Sequence, residues 1–148
     1  METFVPDTLL NRFPRDSYTS PMQVPCLLTR IFPSLSFYTR IFLGTTHWLT
    51  SRAAKGKCDD AAWCYASAWI LEDVERTGIS VRVSGLEAFN EAEGPFVIVA
   101  NHMSTLETYL LPCILRPRFP VTFIVKRSLT TMPFFGHVMR SRDPVVVD

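Results

Sequence analysis

An α/β fold with a partly parallel sheet flanked by helices is what this chain predicts, and three observations lead to it. Apolar runs of strand length lie at residues 96–100, 121–125 and 145–147. Helical signals separate them, and strands alternating with helices pair in parallel through crossovers. Ahead of them lies a region of another pattern, with apolar residues at helical spacing. The expected organisation is a lead-in and amphipathic helical segment over residues 1–57, then the N-terminal portion of an α/β domain over residues 58–148. The last run ends at Asp148, so the sheet is expected to be incomplete.

A chain of 148 residues has room for one core of ordinary size. Hydrophobic residues make up 47% of it, yet no run reaches the ~18 apolar residues of a membrane span. The first seven residues lack the basic and apolar regions of a signal peptide. The four cysteines form no Cys-x-x-Cys pair, so reduced thiols in a cytoplasmic setting are expected, and no zinc site. The formal charge of +1 is unevenly spread: +4 over residues 1–57, −6 over 58–94 and +3 over 95–148. Such blocks are plain solvated surface or, in the sharper reading, face anionic lipid or phosphate. Neither motif nor net charge favours nucleic acid.

In order, residues 1–25 carry four prolines and read as an extended or poorly ordered lead-in. Leu28, Ile31/Phe32, Leu35, Tyr38 and Ile41/Phe42 then recur at helical spacing. Pro33 suits a first turn, so a break near Phe32 and a helix from there to about Leu49 are expected. The apolar stripe fits a helix docked on its own core, as such stripes usually are, or a membrane-interfacial helix. Residues 51–57 form a basic connector containing Lys55-Gly56-Lys57. Asp59 or Asp60 can cap a helix running to Thr77 and closed by Gly78. Its apolar circumference predicts burial on more than one side, with Trp63 and Trp69 in the core.

Ile79, Val81 and Val83 alternate with polar residues as in a half-buried strand, and residues 85–94 read as a surface connection. The run 96–100 is expected as a buried strand feeding a helix from Thr105 to about Leu115, stopped by Pro117. The next strand, 121–125, ends on Lys126-Arg127. Thr130 or Thr131 can cap a helix with Pro133 near its first turn, and residues 145–147 begin a third strand.

The chemistry concentrates at Asn101-His102-Met103-Ser104-Thr105-Leu106-Glu107. Open α/β sheets place their reactive groups beyond the carboxyl ends of strands. Five helical steps turn roughly 500°, so His102 can meet Glu107 only from a position before the helix. The plainer reading is a capping box, with Ser104 as N-cap and Glu107 at N3, beside a structural histidine. A His/Glu metal hydrolase has too few ligands here, because His47 and His137 lack a matching spacing.

Asn-His-x-Ser-x-x-Glu after an apolar run resembles the first signature of the glycerophospholipid acyltransferases of the lysophosphatidate (1-acyl-glycerol-3-phosphate) type. There the acidic residue is usually Asp, and Glu107 adds one methylene. Lys126-Arg127-Ser128-Leu129 followed by Met132-Pro133-Phe134-Phe135-Gly136 resembles the second signature at the family's separation, and Asp148 resembles the start of a third. The resemblance covers residues 79–148. It implies acyl transfer from a thioester, acyl-CoA or acyl carrier protein, to the free hydroxyl of a lysophospholipid, with no bound cofactor. It implies His102 as general base and Glu107 as its acidic partner. Lys126 and Arg127 would meet the acceptor's phosphate, with Asn101, Ser104, Pro133 and Gly136 in support. Arg116, Arg118, Arg140 and Arg142 are weaker candidates for that phosphate, since basic residues in loops and at helix ends are usually solvated. A peripheral location on the cytoplasmic face of a membrane follows, the phospholipid surface being a partner. The alternative is a truncated, non-catalytic fragment of the fold that binds phospholipid surfaces.

Overall fold

The computed structural model describes residues 13, 16–133 and 135–148. Most of the prolyl lead-in and Phe134 of the second signature lie outside the described residues. From the lead-in, strand β1 (Ser17–Thr19) is formed. Helices α1 (Leu27–Ile31) and α2 (Pro33–Thr39) follow, then α3 (Arg40–Thr46), wound to the wider π repeat, and α4 (His47–Ala54). The chain breaks at Phe32, where Pro33 opens the first turn of α2, as its fixed φ dictates. Next come α5 (Asp60–Arg76), β2 (Arg82–Ser84), α6 (Leu86–Glu91) and α7 (Leu106–Leu115). Strand β3 (Ile124–Lys126), α8 (Arg127–Thr131), α9 (Phe135–Arg140) and β4 (Val145–Val147) complete the order.

The fold is a mixture of helices and two small sheets. One pairs β1 with β2 antiparallel, Tyr18 opposite Val83; the other pairs β3 with β4 in parallel, Val125 opposite Val146. The crossover between β3 and β4 is made by α8 and α9, the helical connection that a parallel pair requires.

Helix α5 organises the core. The Asp59 side chain accepts from the Ala62 amide at 2.8 Å, capping an otherwise orphaned donor. Two apolar clusters meet on α5. Cys64, Ala68 and Leu71 pack with Leu110, Cys113 and Ile114 of α7, while Trp63 and Ala66 pack with Leu49 and Val138. Burial on several sides is as its composition predicts. Trp69, however, lies 39% exposed, its ring 4.8 Å from that of Trp48 on α4.

The α5–α7 joint has a polar centre. Pro112 lies inside α7 and supplies no amide hydrogen to the helical ladder. Ser67 Oγ from α5 inserts at the next rung, donating to the Tyr109 carbonyl at 2.5 Å and accepting from the Cys113 amide at 3.1 Å. Nearby, the carboxylate of Glu75, 1% exposed, accepts from Ser20 Oγ at 2.9 Å and from the Tyr18 hydroxyl. That pair ties β1 to α5.

Several expected elements form differently. The run 96–100 makes no strand, and Val97 and Val99 are 81% and 90% exposed. An apolar run becomes a strand only with a neighbour to complete its ladder, and among the described residues no strand pairs with 96–100. The half-buried strand begins at Arg82 rather than Ile79, because the register of β1 selects residues 82–84. The surface connection after Gly85 contains α6, whose Leu86 is 1% exposed and joins the core. Thr130 and Thr131 lie inside α8, which starts at Arg127, their hydroxyls donating to carbonyls three residues back.

Candidate functional site

The turn into α7 is built around Glu107. Its carboxylate accepts the Ser104 amide at 2.9 and 3.0 Å and the Ser104 hydroxyl at 2.6 Å, while Ser104 Oγ accepts from the Leu106 amide at 3.1 Å. This is the reciprocal logic of a capping box, displaced by one position: Thr105 holds the N-cap place, and Ser104 precedes it. The same carboxylate reaches the imidazole, with His102 Nδ1 2.9 Å from Glu107 Oε1. The capping and the pairing therefore coexist on one side chain.

The Ser104 side chain, followed by its amide, holds the Glu107 carboxyl well below its ordinary range, at about 2. Glu107 is accordingly an anion that can only accept. A neutral His102 must then place its hydrogen on Nδ1, leaving the Nε2 lone pair on a ring whose side chain is 69% exposed. The arrangement can receive a proton at Nε2 and stabilise the resulting imidazolium. Asn101 lies on the same exposed approach to α7.

Lys126 ends β3, its backbone at the N-terminus of α8, and is exposed. Arg127 pairs through Nε with Asp148, the residue after β4. The β3–β4 register explains that pair, since Lys126 lies opposite Val147 and the next rung brings 127 beside 148. Asp148 holds the Arg127 guanidinium above its ordinary pKa. Gly136 is buried, and a Cβ there would lie 2.5 Å from the Thr130 carbonyl oxygen. Only glycine lets α9 approach α8 so closely. Pro133 lies in the turn between them, its carbonyl accepting from the Phe135 amide. Among the described residues, no hydrogen bond or ion pair joins the His102–Glu107 group to the Lys126–Arg127 group. The link is a ring contact, Tyr109 of α7 to Phe135 of α9 at 6.1 Å.

Two of the four weaker phosphate candidates are drawn inward, Arg116 buried and Arg142 half-buried. Arg116 and Arg142 both donate to Asp60 through Nη2, and Arg142 also lies over the Trp63 ring at 4.9 Å. Burial works to raise the Asp60 carboxyl, but the two guanidiniums outweigh it and leave it below its ordinary value. Arg118 donates to the Phe13 and Ile114 carbonyls, and Arg140 to that of Thr130. Arg116, Arg118 and Arg142 each reach a partner far along the chain, a role that spacing alone could not reveal, whereas Arg140 reaches ten residues back. Among the described residues, no group of three His, Cys, Asp or Glu side chains is arranged to hold a metal ion.

Residues 80–148 match the model of the family described as Acyltransferase. Over 86 residues, 58% of this chain, the sequence is 36% identical to a 1-acyl-sn-glycerol-3-phosphate acyltransferase of Pseudomonas aeruginosa, and covers 31% of that protein. Over 84 residues, 57% of this chain, it is 37% identical to the enzyme of the same name from Saccharomyces cerevisiae, and covers 26% of it. The chain thus matches between a quarter and a third of the length of these relatives. No solved structure matches it significantly.

Proposed function

From the match of residues 80–148 to the Acyltransferase family, we propose that the chain carries the base and phosphate-binding part of an enzyme moving an acyl group from a thioester to lysophosphatidate. The observation that carries this reading is the 2.9 Å contact between His102 Nδ1 and Glu107, on a carboxylate already fixed by Ser104. His102 Nε2 takes the proton of the acceptor hydroxyl as its oxygen attacks the thioester carbonyl. Glu107 stabilises the imidazolium, and the proton passes to the departing thiolate as the C–S bond breaks. General-base help of this kind contributes on the order of 10²–10⁴ in rate. No serine nucleophile is required; Ser104 orients Glu107.

Lys126 and Arg127 are assigned to the acceptor's phosphate, which would take over Arg127 from Asp148 by offering a more highly charged, bidentate partner. The donor is acyl-CoA or acyl carrier protein. Residues 1–57 are assigned to a peripheral, membrane-interfacial segment on the cytoplasmic face and 58–148 to the N-terminal portion of the catalytic domain. Among the described residues, no helix is long and apolar enough to cross a membrane.

Transfer of a radiolabelled acyl group from acyl-CoA to lysophosphatidate tests the assignment. His102→Ala is expected to lose transfer while keeping its helical circular dichroism; turnover near that of the unaltered protein removes His102 from the mechanism. Replacing Lys126 and Arg127 by Gln is expected chiefly to raise KM for the acceptor, whereas a fall in kcat alone would withdraw the phosphate assignment. A second reading, a phospholipid-surface-binding fragment without turnover, is favoured by the outward apolar residues of α1–α3. Vesicle binding by the unaltered chain, with no transfer under any condition, would establish it instead.

A further inference from the structure

The connector between α4 and α5 builds a second basic site, apart from the residues assigned to the reaction. A cleft of about 580 Å³ is lined by Leu43, Gly44, His47, Trp48, Ser51, Arg52, Lys55 and Lys57, none of them acidic. Its wall is held by backbone geometry. Gly56 takes φ +66°, the Lys57 amide donates to the Arg52 carbonyl at 2.9 Å, and the Gly56 amide donates to that of Ala53 at 3.0 Å. These two bonds make a Schellman close to α4 and turn Lys55 and Lys57 back beside Arg52. Arg52 Nε donates to the Lys57 carbonyl at 3.1 Å, and its guanidinium lies over the Trp48 ring at 5.2 Å. Three cations are thus gathered with an aromatic platform in one concavity.

The surface leading to the cleft is apolar. Leu28, Ile31, Leu35, Tyr38, Phe42 and Leu43 recur at short helical intervals and are each more than half exposed. The core-facing side of the same helices carries Ile41, Thr45 and Leu49, and Arg40 pairs with Asp73 of α5 at 3.7 Å. The stripe therefore faces outward, with cations and a tryptophan at its end, the pattern of a helix lying in a bilayer interface.

We propose that this cleft binds the anionic headgroup of a bilayer lipid while the apolar stripe enters the acyl region, making the protein's membrane attachment selective for anionic lipid. The inference deepens the interfacial role proposed for residues 1–57 and does not depend on turnover. The occupant follows from charge: a cleft with cations and no carboxylate beside an apolar face fits a phosphate joined to acyl chains. A cation near an anionic surface contributes about fivefold in binding, so three contribute on the order of 100-fold.

Co-sedimentation of the full chain with vesicles tests this, using phosphatidylcholine alone and phosphatidylcholine mixed with phosphatidylglycerol. The unaltered protein is expected to bind the mixed vesicles far more tightly. Arg52→Gln with Lys55→Gln and Lys57→Gln should lose on the order of 100-fold on the mixed vesicles and little on phosphatidylcholine. The double variant Lys55→Gln with Lys57→Gln keeps the Arg52 wall contact, and should lose on the order of 20-fold with unchanged circular dichroism. Equal binding of the unaltered protein to both vesicles would overturn the proposal, as would equal losses on both in the variants. Release by inorganic phosphate at constant ionic strength would also overturn it, assigning the cleft to a free anion. His102→Ala should leave vesicle binding unchanged, so failure of the transfer mechanism and failure of this site are read separately.

Discussion

Glu107 holds more donors than a helix cap requires. One carboxylate receives the Ser104 amide and hydroxyl and still reaches His102. A folded pKa of about 2 lies below the ordinary ~4.3 of an unfolded glutamate. The sign follows directly: Glu107 contributes stability above pH ~4.3, and that contribution is lost as pH falls toward 2. Glu107→Gln is expected to flatten the pH dependence of the urea midpoint across this window relative to the unaltered chain, the difference between the two curves isolating Glu107. The same substitution removes the anion behind the imidazolium and should lower kcat/KM for acyl transfer by on the order of 10²-fold or more. A variant with an unchanged rate would leave Glu107 a cap alone. The capping reading was legible in the Ser104–Glu107 spacing and the pairing reading in the His102–Glu107 spacing. That both hold at once was not, because the answer lay in the rotamer of a single side chain.

Among the elements, α7 shows how a local defect is absorbed. Pro112 removes one rung of its hydrogen-bond ladder, and Ser67 from α5 bridges the groups of the next. Ser67→Ala leaves the Tyr109 carbonyl and the Cys113 amide without that partner at a packed joint. It should cost about 1–3 kcal/mol, read as a lower urea midpoint. Because α7 carries Glu107 on its first turn, the turn's order should suffer with it, visible as faster amide exchange at Ser104. The existence of α5 and α7, the break at Phe32 and the parallel β3–β4 crossover follow from periodicity, caps and proline positions. The run 96–100 teaches the opposite lesson. Its β-branched residues carry a strand propensity, but propensity supplies no partner for the backbone.

For the whole molecule, the telling feature is Asp60 held between Arg116 and Arg142. This cluster joins the start of α5, the end of α7 and the approach to β4, three segments that meet only in the folded state. Asp60→Asn would leave two largely buried guanidiniums without their anion. We expect a loss of about 3 kcal/mol in unfolding free energy, measured by urea denaturation. Arg142→Met should cost distinctly less, since Arg116 then keeps its carboxylate. If the two variants were equally mild, the cluster would be peripheral to stability.

The amino-acid order by itself determined α5 and α7, the break at Phe32, the runs that form β3 and β4 and the signatures around His102 and Lys126, because each depends on neighbours within a few residues. Tertiary structure alone decided that Arg116 and Arg142 are internal, that the apolar stripe of α1–α3 faces outward, and that Lys55 and Lys57 close on Arg52. Burial and ion pairing depend on what a distant segment brings to the same place, and no local pattern encodes that position.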